Sequence, residues 1–185
     1  GKKHYSFATL SDYAKEQTIT VNGVSKSYSM TGWRIGYVCA PIETAKAMSA
    51  LQGHTTSNAC TFAQYASVTA IKDGGEFINE MRCEFDRRRE VLIEALKSVH
   101  GITFAVPDGA FYVFVDVSAL YGKKFKGEVI DGSRKFAAKL LDFGVAVIPG
   151  AAFGDDNSIR LSYTLPADEI VKGIAEIKRF VKELL

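Results

Sequence analysis

The chain has 185 residues, 47% hydrophobic and 24% charged, a composition that excludes a disordered polypeptide and allows a real apolar core. Its formal net charge of +2 is too small for a nucleic-acid surface. The densest basic run, Arg87 to Arg89, is flanked by Glu84, Asp86 and Glu90, and so reads as a solvated helix face.

Cys39, Cys60 and Cys83 are widely spaced, with no CxxC pair and no histidine cluster. Neither a disulfide scaffold nor a metal site is expected, and a reducing, cytoplasmic setting is the default. No apolar run has membrane-spanning length, so no membrane partner is expected. With Gly1 rather than Met in first place, the chain is expected to be processed or truncated.

In chain order, residues 19–21 read as a strand end, with Asn22 and Gly23 turning the chain. Residues 25–32 are polar and form a loop; residues 33–40, apolar apart from Arg34, predict a second strand. A helix is predicted from Pro41 to about Leu51, then a polar loop over 54–58 and a helix over 62–72. Gly74 and Gly75 interrupt. Phe77, Met81, Phe85, Leu92, Ala95, Leu96 and Val99 then mark a longer amphipathic helix.

Residues 102–106 and 110–117 predict two strands around the turn at Pro107, Asp108 and Gly109. Residues 122–132 predict a loop. Phe136, Ala137, Leu140 and Leu141 mark another helix, with Gly144 suited to its C-terminal turn. Short strands are expected over 145–148 and 159–163. Ile170, Val171, Ile174, Ile177, Val181 and Leu184 form the stripe of a last helix. The first 60 or so residues hold too little sheet to close on itself, whereas the part from about residue 75 has enough elements for an α+β domain.

Three features carry chemistry. Lys26 sits in a serine-rich loop, and Arg34 lies eight residues later in an apolar stretch. A lone loop lysine is usually solvated, but an arginine in an apolar stretch must reach solvent or meet an anion. An amine able to form a Schiff base, beside a fork-shaped guanidinium, suits a phosphorylated carbonyl compound. Arg160, in the apolar run from Ile159 to Tyr163, raises the same question. It could pair with Asp155 or Asp156, or clamp a carboxylate. The turns that start at Pro107 and Pro149 are weak signals by themselves.

Together these residues resemble the fold-type I, class I and II aminotransferases, and look closest to the bacterial aspartate aminotransferase group. The resemblance is carried by the run from Asn22 through Lys26 and Arg34 to Tyr37. It continues through Thr56-Ser57-Asn58, the run from Pro107 to Tyr112, Val147 to Gly150, Phe153-Gly154 and Ile159 to Tyr163. It implies an α/β and α+β architecture: a partial remnant of the large domain of the pyridoxal-phosphate transferase fold (residues 1–60), interdomain helices (61–100) and a complete small C-terminal α+β domain (101–185, with part of the helix over 76–99).

It also implies roles. Lys26 would hold pyridoxal 5'-phosphate and carry a proton at the substrate's α-carbon, Arg34 and Ser25 would bind the cofactor phosphate, and Arg160 would grip the α-carboxylate. Ser57 and Asn58 would approach the active site of a partner subunit in a homodimer. Gly23 stands where some relatives have a serine, so one phosphate hydrogen bond is missing or supplied elsewhere. Family members are roughly twice this length, and their first half carries the glycine-rich phosphate turn and the aspartate facing the ring nitrogen, neither of which matches here. The expected reaction of the whole protein is transamination between an L-amino acid, aspartate first, and a 2-oxo acid. The isolated piece is expected to be inactive and to need its missing N-terminal half. Another pyridoxal-phosphate reaction, such as elimination, or a non-catalytic module of the same fold, are the rivals.

Overall fold

The computed structural model describes residues 3–185 and divides the chain into two compact units, Gly1–Arg82 and Cys83–Leu185. The division falls inside a helix.

In the first unit, Ser11 caps helix α1 (Asp12–Glu16) by accepting from the Ala14 amide. Strand β1 (Thr20–Gly23) then pairs antiparallel with β2 (Gly36–Cys39), Gly23 opposite Gly36. Asn22 and Gly23 therefore belong to the strand rather than to a turn. A Cβ on Gly23 would stand 3.1 Å from the Ile35 carbonyl oxygen, so the glycine lets the two backbones stay paired to the end of the ribbon. The expected strand over 33–40 shortens to 36–39. Thr31–Trp33 form a 3-10 turn, and Arg34 takes a left-handed conformation, φ 56°, outside the ladder.

Helix α2 (Ile42–Thr55) starts after Pro41 and runs four residues past its expected end, Thr55 donating its hydroxyl back to the Leu51 carbonyl. Helix α3 (Thr61–Asp73) follows, and α4 (Gly75–Leu96) crosses the unit boundary.

Little apolar surface is buried in the first unit. Val24, Ile35 and Ala63 form its core, with Tyr28, Met30, Tyr37 and Ala59 against it. No residue of α2 is buried, while Val21, Phe62 and Tyr65 are each more than 70% exposed. Such a concentration of open apolar side chains is the mark of a face normally covered.

The second unit is a helix-covered sheet. Strands β3 (Thr103–Phe104) and β4 (Tyr112–Asp116) are followed by a small hairpin, β5 (Lys124–Phe125) with β6 (Glu128–Val129), in the segment expected to be a loop. The hairpin exists because Phe125 and Ile130 are buried and anchor it. Helix α5 (Ser133–Leu140), β7 (Ile148–Pro149), β8 (Ser158–Ser162) and α6 (Ala167–Glu183) complete the chain. The sheet order is β3-β4-β8-β7, antiparallel throughout.

Val113, Val115, Ile159 and Leu161 face the core that α4, α5 and α6 cover. By strand alternation Tyr112, Phe114, Arg160 and Ser162 lie on the other face. Three expected core positions differ. Phe77, Leu141 and Val171 are exposed, because each falls off the buried side of its helix. Phe180 takes their place on α6, fully buried, with the rings of Phe136, Phe125 and Phe143 at 5.1, 5.3 and 5.4 Å. Phe180→Ala is expected to lower unfolding stability by about 3–5 kcal/mol, read from chemical denaturation of this unit.

The run Arg87 to Arg89 is mostly structural. Arg87 and Arg88 both bind Glu84, holding its carboxyl at about 2, and Arg88 and Arg89 donate to the carbonyls of Thr164 and Pro107.

Candidate functional site

The lysine sits on a turn built at the end of a ribbon. The ladder of β1 and β2 continues one step as Val24 N–H donates to the Ile35 carbonyl, at 3.4 Å. The next residues on either side are Ser25 and Arg34, so the register brings Ser25, Lys26 and Arg34 to the same end of the ribbon. Val24 and Ile35 are both buried and fix that end. The chain then closes through Tyr28 N–H to the Val24 carbonyl and Ser29 N–H to the Lys26 carbonyl. Lys26 itself is exposed.

Helix α3 steadies the turn. The Tyr28 ring lies so near Gly74 that a Cβ there would stand 2.8 Å from it. Trp33 meets Phe62 edge-on at 6.3 Å. Arg34 donates from Nη1 to the Thr31 carbonyl at 2.8 Å, which leaves most of its fork of N–H donors turned to solvent. Ser57, at φ 63°, and Asn58, whose amide donates to the Ala59 carbonyl at 3.0 Å, are exposed in the link from α2 to α3. Ala59 packs on the same small core as Val24 and Ile35, which ties this link to the lysine turn.

Arg160 belongs to the second unit, on β8 between Phe114 and Ile148 of the neighbouring strands. Its guanidinium carbon lies 4.2 Å from the Tyr112 ring centre and 4.7 Å from that of Phe153. No carboxylate pairs with it among the described residues. Asp155 and Asp156, the structural partners weighed from sequence, are committed elsewhere. Asp155 accepts from Ser158 Oγ at 2.7 Å and from the Asn157 amide, and Asp156 accepts from Ser133 Oγ at 2.6 Å and from its amide. The salt-bridge alternative for Arg160 is therefore overturned.

Both rings are held. Phe153 sits in a 3-10 turn (Gly150–Phe153) locked by the Ala151 amide donating to Ser133 Oγ. Gly150 admits no Cβ there, because the Asp155 and Ser158 carbonyls press on it. Tyr121 braces the same segment by donating to the Asp156 carbonyl. Burial and the nearby Asp156, Asp116 and Asp155 push its phenol up to about 12, so it stays protonated. Two residues before Tyr112, Ala110 takes φ 61°, and the Tyr163 hydroxyl donates to its carbonyl at 2.7 Å. Burial raises the Tyr163 phenol as well.

Sequence reasoning assigned no role to Tyr112 or Phe153. For Tyr112 the signal was alternation, since it shares the open face with Arg160, diagonally across one strand pair; Phe153, in a 3-10 turn, had no such signal. A cation between two π faces, in place of a carboxylate, is oriented but not neutralised. Arg160 therefore stands between two rings with no carboxylate at ion-pair distance among the described residues.

The described residues hold no cluster of metal ligands, no helix long and apolar enough to cross a membrane, and three free cysteines.

The family "Aminotransferase class I and II" matches residues 1–177. The chain is 46% identical to the probable aspartate/prephenate aminotransferase of Aquifex aeolicus, over 98% of this chain and 45% of that protein. It is 42% identical to the aspartate aminotransferase of Bacillus subtilis, over 99% and 46%. The crystal structure of the aspartate aminotransferase from Rhizobium meliloti superposes with a TM-score of 0.94 at 38% identity, covering 100% of this chain and 47% of that one. The chain thus spans about half the length of the relatives it matches, and it belongs to the class I and II aminotransferases.

Proposed function

We propose that the chain is the lysine-bearing portion of a pyridoxal-phosphate-dependent aminotransferase about twice its length, which moves an amino group between an L-amino acid, aspartate first, and a 2-oxo acid. The observation that carries this is Arg160, a guanidinium set between two rings with no carboxylate partner among the described residues. Its planar fork fits the carboxylate common to both substrate classes.

The ribbon end fits the cofactor by its donor chemistry. Arg34 keeps N–H groups for a phosphate, Ser25 adds a hydroxyl, and Lys26 places a primary amine on the adjoining turn. When bound, pyridoxal phosphate supplies an electron sink for the bond broken at the substrate's α-carbon. The chain's own residues do the rest. Arg160 would bind the substrate carboxylate, and the Lys26 amine would take the α-proton and return it. Gly23 offers no hydroxyl, so the phosphate is held by fewer donors on this side.

Residues 1–60 would then belong to the cofactor domain, 61–100 to interdomain helices and 101–185 to the small domain. Ser57 and Asn58 would face a second subunit of a homodimer, and the three free cysteines favour a cytoplasmic setting. The N-terminal remainder of the protein would cover the open apolar face of the first unit.

The test is chemical. Borohydride reduction of the cofactor-loaded full-length protein, followed by peptide mass mapping, is expected to place the pyridoxyl mass on Lys26. Its appearance on another lysine would overturn the assignment. A donor panel decides the substrate: aspartate or glutamate is expected to be fast, and fast alanine or aromatic donors with both of these slow would remove aspartate.

A further inference from the structure

A cavity of about 360 Å³ opens in the second unit between the turn after α4, the segment after β4 and the end of α6. That volume lies in the range of small-molecule pockets. Its floor is apolar, with Leu120 and Leu184 buried beneath it. Gly101, at φ 78°, lets the turn close on Leu120, whose Cδ2 would stand 2.6 Å from any Cβ. Around the opening stand Lys123, Lys178, Lys182 and His100, and no acidic residue lines it.

Helix stability does not account for these lysines. Lys182 in the last turn of α6 favours the helix dipole, but Lys178 is four residues before it, so the two like charges share a face and repel. The other basic residues of α6 behave differently: Lys172 pairs with Asp168 and Glu169, and Arg179 with Glu176. Lys123 joins the two lysines from a separate segment, and none of the three makes an ion pair among the described residues. Three lysines lining one cavity with no acidic residue beside them is an arrangement that an anion relieves.

We infer that this cavity binds a small organic phosphate: a multiply charged head held by Lys123, Lys178 and Lys182, with an apolar body against Val181 and the edges of Leu120 and Leu184. Phosphate accepts from several ammonium groups at once, and the hydrophobic floor separates such a compound from inorganic phosphate. None of these residues is used by the proposed lysine chemistry.

The experiment is a titration of the ¹⁵N-labelled 185-residue chain with phenyl phosphate, followed by amide chemical shifts. The Gly101 and Ala119 amides are expected to move along one saturating curve. Lys178→Gln with Lys182→Gln is expected to weaken that curve by roughly tenfold while leaving the core resonances in place. Inorganic phosphate and phenol, each holding half of the chemistry, are expected to bind more weakly. Shifts confined to residues 25–34, a curve that does not saturate, or an affinity unchanged in the double variant would each overturn the inference. Equal binding of inorganic phosphate would overturn the apolar half of it.

Discussion

Assayed alone with saturating cofactor, the 185-residue chain is expected to turn over aspartate and a 2-oxo acid at least roughly a thousandfold more slowly than the same chain extended to the length of its relatives. The reason lies in the first unit. Lys26 is exposed on a turn that, among the described residues, rests on the end of a two-stranded ribbon, a three-residue core and one helix. Proton transfer requires the reacting atoms to be held within about 0.5 Å, which such a support does not supply. Val21, Phe62 and Tyr65 meanwhile stand open to water. A coupled assay of the 2-oxo acid product, run on the isolated chain and on the chain mixed with a separately produced N-terminal part, measures this directly. Activity that appears on mixing supports the reading, and near-full activity from the isolated chain defeats it.

Replacing Arg160 in the full-length protein is the second large effect. Arg160→Gln is expected to lower kcat/KM for every donor by about 10²–10³-fold, the equivalent of about 3–4 kcal/mol for a lost charged pair. Arg160→Lys is expected to recover little of it, because an ammonium neither forks onto a carboxylate nor stacks between the Tyr112 and Phe153 rings as a plane does. Tyr112→Leu and Phe153→Leu are expected to raise KM by less, roughly tenfold, with kcat nearly unchanged, since the rings orient the guanidinium while the guanidinium itself would bind the carboxylate. Steady-state kinetics on these variants separates the outcomes. A kcat/KM that barely moves in Arg160→Gln makes the two rings its structural partners and nothing more.

How far the sequence could be read depended on how local each signal was. The positions of α3 and α6 follow from helical spacing, and the family from the run between Asn22 and Tyr37. The misreadings lie in turns and in packing. Arg34 was expected inside a strand because its neighbours are apolar, yet the Trp33 amide bonds the Met30 carbonyl and turns the chain before β2 begins. Residues 122–132 look polar, but two buried side chains, Phe125 and Ile130, suffice to fold a hairpin there. Phe180 was passed over beside the regular spacing of isoleucines, and only packing reveals it as the centre of an aromatic group. The partner of Arg160 was undecidable in sequence because Asp155 and Asp156 are its nearest acids along the chain. Ser158 and Ser133 claim them first.

The strand order of the second unit also sets a clock. The main neighbour of β4 is β8, whose residues follow it by more than forty positions, while β3 covers only two residues of its other edge. At about 5–20 residues per second, a ribosome needs roughly two to ten seconds to deliver β8 after β4 has been made. Through that interval Val113 and Val115 have neither their pairing strand nor α6 above them. The nascent chain must therefore pass a stage in which a hydrophobic, half-paired strand waits for its partner, and slow codons or a stalled ribosome between residues 117 and 158 would prolong its exposure to aggregation.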